Sequence, residues 1–445
     1  MNQPPGATSQ PRPINNRLLP RPAGFWTVAL ATGILTAASA APSPLYPVYQ
    51  AEYKFSEITL TVIFAVYVFA LLMSLLTVGR LSDYAGRRIV LAGALLVEAG
   101  AMALFVAADE VAWLMWARIV QGLATGAAFG VLGAYLLDLQ PSDGSRLGSL
   151  VNSVAPTFGL GMGAIATGLL VQFAPHPTRS IFVIFMALFV ALLAATIVLP
   201  ETAPRMPGAL AALRPEVAVP KPARRAFAGA VPTMLCTWAF GGLVLSLGGS
   251  LLGTIFGQTS VAVIGLVIGL FPVSAAAAAT LARDLSPGSM ARLGSVVLGL
   301  GAGLFLLAVW SSSIALFVVA SIVGGAGFGP GFLGSLRAVS QLAQPNERAA
   351  LLSAVYIVSY LAFSLPALAA GVLATHIGLR DTSYWYGVFV ALVAVATVAT
   401  ERLIIGQPRN SVDTNPTRMA LTSRITKTKA QQRGCRSKEP HERVR

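Results

Sequence analysis

The sequence predicts an all-α membrane protein, with twelve transmembrane helices arranged as two pseudo-symmetric six-helix bundles. Three observations predict it. The 445 residues are 55% hydrophobic and only 11% charged, and mean hydropathy is +0.72, a balance foreign to a water-soluble domain. The apolar residues fall into runs of about 20, the length that crosses roughly 30 Å of hydrocarbon as a helix. Finally, the second half of the chain resembles the first at one fixed offset.

Taken in order, apolar runs between turn signals place spans at 25–47, 57–78, 89–108, 111–137, 148–172 and 180–199. After a Pro-rich linker come 229–252, 259–282, 293–310, 313–336, 350–374 and 384–404, the break between the seventh and eighth being weakly marked. The expected organisation is a cytoplasmic tail over 1–23, one half over 24–199, a linker over 200–226, a second half over 227–404, and a polar, basic tail over 405–445 that reads as disordered. Pro156, Pro232, Pro272, Pro330 and Pro366 fall inside spans, where neighbouring helices can satisfy the freed carbonyls. Arg12, Arg17 and Arg21 before a run ending "AASAAP" resemble a cleavable signal peptide, but the internal repeat requires that run as a retained helix.

The formal net charge is +14. Nucleic-acid binding would need those cations on one folded face, whereas here they lie in loops and tails, so no nucleic-acid partner is expected. Alternating the loops between two sides leaves only Lys54, Arg179 and Arg380 on one of them, and Arg118 inside a span; the other lysines and arginines share the side of both tails. That asymmetry predicts cytoplasmic termini, in a bacterial cytoplasmic (inner) membrane. Cys236 and Cys435 stand far apart, without metal-ligand or redox spacing, and read as free thiols. No phosphate-binding glycine loop is present, and the short loops leave no room for a catalytic domain or metal cluster. The chain therefore reads as a non-enzyme with no cofactor.

A shift of 203 residues lays "IVQGLATGAAFG" from Ile119 on "IVGGAGFGPGFL" from Ile322, and "AIATGLL" from Ala164 on "ALAAGVL" from Ala367. The intervening "QPSDGSR" aligns with "QPNER" after a two-residue gap. One offset holding across two spans and their loop argues for duplicated halves. Parallel halves related by an axis along the membrane normal characterise transporters with a central site between them.

Between the second and third spans lies "GRLSDYAGRR", and Gly79, Asp83, Gly86, Arg87 and Arg88 in that order resemble the loop signature of the major facilitator superfamily, with Tyr84 where a basic residue is usual. "RIVQG" from Arg118 is similar to the fourth-helix signature of that superfamily, and "LPET" from Leu199 to the end of its sixth helix. Gly159, Gly161, Gly163 and Gly168 match the small residues of a fifth-helix antiporter signature whose proline position is unfilled. The resemblance covers essentially 24–404. It implies rocking of two halves around a central site, with Asp83 meeting the start of the eleventh helix and the paired arginines contacting Asp138, a latch on the cytoplasmic face. Gly79 and Gly86 are read as supplying tight turns. The second-half copy, "ARDLSPGSMAR" from Ala282, has Ser286 in place of Asp83.

Away from the ends of the spans, only Glu98 and Arg118 carry charge inside them. Charges at mid-membrane cost about 2.5–3.5 kcal/mol on insertion scales, so they mark a pathway or a partner. Counting helical rise from each end puts the two about 6 Å apart in height, which allows an ion pair or a shared water cavity. Glu98, Arg118 and Gln121 are the proton-coupling candidates, set against a purely structural Glu98–Arg118 pair. Gly122, Gly126 and Gly130, like Gly325 and Gly329, recur four apart, as close helix packing requires. Tyr67, Asn152, Trp238, Tyr356 and Tyr360 are the polar candidates for a substrate cavity, Gln258 being a further one. So few polar groups among apolar walls favour an amphipathic compound. The expectation is a monomeric secondary transporter exporting a small amphipathic molecule against protons across the lipid bilayer. Its rivals are a proton-independent importer or facilitator, and a receptor or scaffold that does not transport.

Overall fold

The computed structural model describes residues 19–141, 147–174, 176–344 and 347–405. The extreme N-terminal tail, the loop tips at 142–146 and 345–346, and the basic tail from 406, with Cys435, lie outside the described residues.

The described residues form helices and no strand. These are α1 (Arg21–Ala40), α2 (Tyr46–Tyr53), α3 (Glu57–Val78), α4 (Leu81–Ala85), α5 (Arg87–Ala107), α6 (Val111–Leu139), α7 (Leu147–Phe173) and α8 (Pro177–Thr196). The linker holds α9 (Ala209–Ala212), and α10 (Arg224–Thr254), α11 (Val261–Leu281), α12 (Pro287–Ser311), α13 (Ile314–Ser340), α14 (Arg348–Ile377) and α15 (Leu379–Ile405) follow. Among the described residues, eleven stretches are long and apolar enough to cross a membrane, the first being the run Arg21–Tyr53; α15 is a twelfth long helix.

Several spans differ in extent from the sequence expectation for local reasons. The first breaks after Ala40 into a 3-10 turn at Ser43–Leu45 and then α2, because Pro42, Pro44 and Pro47 each withhold a backbone donor. The ninth begins at Pro287 rather than 293, since the Ser286 hydroxyl accepts the Ser289 N–H at 3.2 Å and Pro287 occupies the first turn. The weak break between seventh and eighth spans is real: Gly257 adopts φ +64°, and Ser260 caps α11.

The duplication is visible in the packing. α3 packs on α6 as α11 packs on α13, α5 on α6 as α12 on α13, and α1 on α7 as α10 on α14. The two seams between the halves are also mates, α3 with α14 and α11 with α7. Glycines make these approaches possible. A Cβ on Gly126 would fall 2.8 Å from Ser74 Cβ of α3, and its repeat mate Gly329 lies against the Ala275 carbonyl of α11. Both halves belong to one compact unit that ends at Ala399.

Candidate functional site

At the 79–88 bend, Gly86 has φ +99°, a conformation open chiefly to glycine. Gly79 is ordinary right-handed helix, so it supplies no special turn; it is instead the surface on which α6 closes, a Cβ on Gly130 falling 2.5 Å from the Gly79 Cα. The Arg87 guanidinium donates to Asp83 and Ser82, and through Nε to Asp138 Oδ2 at 3.2 Å. Asp83 thus has Arg87 as its partner among the described contacts, rather than the start of α14. Arg88 also departs from expectation: it contributes its backbone N–H, not its guanidinium.

Glu201, from "LPET", completes the bend. Its carboxylate accepts the N–H groups of Arg87 (2.8 Å) and Arg88 (3.1 Å), capping α5, where donors would otherwise lack acceptors. Thr202 Oγ1 donates to Asp138 Oδ2 at 2.8 Å. The linker follows the same surface: Arg80 pairs with Glu216, and the Met206 N–H donates to the Tyr84 carbonyl at 2.9 Å. Hydrogen bonding to Glu216 raises the Arg80 pKa further above its already high value.

A buried polar cluster occupies the first half. Arg118 is 1% exposed and Glu98 and Gln121 are fully buried. The Arg118 guanidinium donates to the Ser39 carbonyl at 2.9 Å, to Gln121 Oε1 at 2.8 Å, and twice to the Tyr46 hydroxyl, at 3.2 and 2.6 Å. It also lies 5.0 Å from the Tyr67 ring centre, within cation–π range. Gln121 in turn donates to the Ala38 carbonyl at 3.1 Å. Arg118 therefore clamps the broken end of α1, whose last carbonyls lack helical partners.

Glu98 does not pair with Arg118, contrary to the ion-pair expectation. Its Oε1 accepts from Thr125 Oγ1 at 2.6 Å, while Oε2 is buried with no hydrogen-bond partner among the described residues. Arg118, Gln121 and Thr125 fall one turn apart on a single face of α6, so Thr125 was legible by spacing, whereas Tyr46 and Ser39 depended on the proline break.

The equivalent region of the second half is aromatic. Positions 98, 118, 121 and 125 map by the 203-residue offset to Gly301, Ser321, Gly324 and Phe328. Phe240 packs against Gly324 and lies 5.8 Å from Phe271 and 5.9 Å from Phe305. Nearby, Trp238 meets Phe328, Phe332, Tyr360 and Phe363 edge-on at 5.1–5.6 Å, geometry that suits ring quadrupoles. Its Nε1 is buried without an acceptor among the described residues. Tyr356 stacks on Tyr360 at 6.1 Å.

The two clusters approach across the α3–α14 seam, where Phe64 lies 4.9 Å from Phe363. Tyr67 and Tyr360 are each one turn from that contact, displaced toward the bend end of their helices. Contacts at the opposite end join the halves. Ser250 Oγ donates to Gln50 Oε1 at 2.8 Å, Ser260 Oγ to Gln172 Oε1 at 3.1 Å, and Gly371 abuts Thr61. Asn152 stands apart from this centre, exposed toward the bend end and beside Gly133. Gln258 accepts the Ser260 N–H in the α10–α11 loop, outside any span.

Two duplicated six-helix halves meeting at a central polar and aromatic region define a membrane transporter that carries a small-molecule substrate across a lipid bilayer. The sequence profile of the Major Facilitator Superfamily matches residues 28–299, more than half of the chain, and the chain belongs to that superfamily. No curated protein sequence matches it. Among solved structures it is similar to the human organic anion transporter MFSD10, at 18% identity and a TM-score of 0.62 over 85% of this chain and 100% of that one. It is also similar to a bacterial homologue of the human lysosomal transporter Spinster in an inward-facing, unoccupied conformation, at 12% identity and 0.68 over 88% and 98%. A POT family transporter in complex with a thioalcohol-conjugated peptide gives 13% identity and 0.71 over 86% and 96%. At such identities the likeness is one of fold.

Proposed function

We propose that this protein exports a small amphipathic molecule in exchange for protons, the halves over 24–199 and 227–404 rocking about the region between Arg118 and Trp238. The observation that carries the reading is Glu98: a carboxylate, fully buried, with one oxygen held by Thr125 and the other unpartnered. A charge left so uncompensated at mid-membrane is costly, and taking up a proton relieves it. Arg118, with four of its five N–H groups engaged by Tyr46, Ser39 and Gln121, is a positioning residue for α1 and α6. The rings of Trp238, Tyr356 and Tyr360 supply the flat apolar contact an amphipathic solute needs.

By the charge asymmetry of the loops, the bend end is cytoplasmic and the protein sits, as a monomer, in a bacterial inner membrane. The contacts of Gln50 with Ser250 and Thr61 with Gly371 then belong to a closed outer gate, and the conformer is inward-facing. The cluster of Asp83, Arg87 and Asp138, assembled within the first half, together with Arg88, Gly79 and Gly86, acts as the latch that engages the second half when the inner side shuts.

The test is a compound screen by accumulation in cells with and without the protein, followed by flux of any hit in proteoliposomes under an imposed pH gradient. Glu98→Gln is expected to abolish gradient-driven flux while preserving counterflow of substrate against itself. Gradient-driven flux equal to that of the wild type would refute the coupling role. Flux that ignores the pH gradient in the wild type would favour a facilitator, and no flux under any gradient a receptor.

A further inference from the structure

Three arginines stand at the bend, and two of them are consumed by it: Arg80 by Glu216, and Arg87 by Asp83 and Asp138. The Arg88 guanidinium makes no hydrogen bond or ion pair among the described residues. It lines instead a groove of about 430 Å³ between the first turns of α5 and the last turns of α8. The remaining walls are Ile89, Ala92, Val190, Leu193, Ala194 and Ile197. The one neutral polar group there, the Thr196 hydroxyl, is already engaged, donating to the Leu193 carbonyl at 2.7 Å.

The groove faces outward. Ile89, Val190 and Ile197 are 49%, 53% and 62% exposed, in two helices whose length and composition fit them to cross a membrane, so its surroundings are lipid rather than water. Its polarity is ordered along the membrane normal. Arg88 sits in the first turn of α5 at the bend, and the apolar walls run from it into the span. An unpaired cation at the mouth of an apolar trough matches one molecule of the bilayer in both charge and shape: an anionic headgroup on the cation, an acyl chain in the trough. The α5 N-terminus does not compete for that anion, because the Glu201 carboxylate already caps it.

We propose that the α5–α8 groove is a binding site for a single anionic phospholipid, its phosphate held by Arg88. A second, apolar groove of about 540 Å³ between α10, α14 and α15 has no charged residue in its lining, and so supplies an internal contrast that does not discriminate headgroups. The site also bears on the bend, since the Arg88 N–H is one of the bonds that hold Glu201 in place.

The experiment is native mass spectrometry of the purified full chain with phosphatidylglycerol or phosphatidylcholine added to the detergent, and sn-glycerol 3-phosphate as a competitor. One basic residue at an anionic surface contributes about fivefold in binding. The first retained lipid is therefore expected to favour phosphatidylglycerol over phosphatidylcholine by about that factor. Arg88→Gln should erase the preference and Arg88→Lys should keep most of it. Ile197→Trp, which leaves Arg88 in place and fills the trough, should reduce retention of phosphatidylglycerol. An undiminished preference in Arg88→Gln, with an unchanged melting temperature, would overturn the site. Displacement of the lipid by glycerol phosphate as effective as that by phosphatidylglycerol would also overturn it, because the chain would then play no part. Should Arg88→Gln fail to fold, Ile197→Trp decides alone, and unchanged retention there refutes the proposal.

Discussion

Arg118→Ala should loosen one identifiable piece of the protein, the broken end of the first span. The guanidinium serves three acceptors, the Ser39 carbonyl, Gln121 Oε1 and the Tyr46 hydroxyl. Hydrogen bonds from a charged donor contribute about 1.5–3 kcal/mol each, a gross loss of roughly 5–9 kcal/mol. Removing the charge from the membrane interior returns about 3 kcal/mol, and the Tyr46 and Gln121 side chains can turn toward other partners. A net loss of about 2–4 kcal/mol follows, concentrated where Ser39 cannot move without unwinding α1. Local opening of that size raises amide exchange by roughly 30- to 1,000-fold. Hydrogen–deuterium exchange read by mass spectrometry should show the increase over 38–53, with the second-half counterpart, which has Ser321 in place of Arg118, unchanged. Arg118→Lys keeps a donor but not the planar fork, and should fall between. Exchange over 38–53 equal to that of the wild type in Arg118→Ala would refute the clamp. A uniform rise across both halves would show that Arg118 supports global rather than local stability.

Two further outcomes concern packing and the bend. Gly126→Ala and Gly329→Ala should each lower the melting temperature in detergent by similar amounts, consistent with an overpacking cost of about 1–3 kcal/mol, because a Cβ at either site meets the backbone of the facing helix. Gly93→Ala, with nothing within 4 Å of its added carbon, should be neutral or mildly stabilising, and a loss there equal to that at Gly126 would contradict the packing account. Asp83→Asn and Asp138→Asn should change stability by less than about 1 kcal/mol, since their side chains are 47% and 34% exposed and solvent-screened. Both should nevertheless slow transport, and unchanged flux at equal expression would count against a latch.

How far the sequence disclosed this arrangement depends on whether a feature is periodic or three-dimensional. Spans, the loop charge asymmetry and the duplication are all repeated patterns, and they were legible. The glycines of α6 are a clear instance: four-residue spacing announced close packing, and their α13 mates lie against α11 as they do against α3. The ends of spans were less legible, because a helix continues past the apolar run wherever a cap such as Ser286 supports it. The site was half legible. Charge rarity alone found Glu98 and Arg118, but counting helical rise could compare only their heights, not the directions in which they point. Those directions depend on the proline break after Ala40, which delivers Tyr46 and the Ser39 carbonyl to Arg118 and leaves Glu98 to Thr125. The role of Glu201 was hidden for a related reason: "LPET" marked the residue, but its partners are backbone N–H groups, which every residue except proline carries. The asymmetry between the halves follows from the same logic. Replacing Gln121 by Gly324 and Glu98 by Gly301 removes two polar side chains from the second half; Phe240 takes the space beside Gly324, and the Gly324 backbone itself closes on Gly301. Duplication thus preserved the backbone contacts that glycine permits while the side chains between them diverged, one half retaining charge and the other rings, the division that the proposed exchange of an apolar solute for a proton would use.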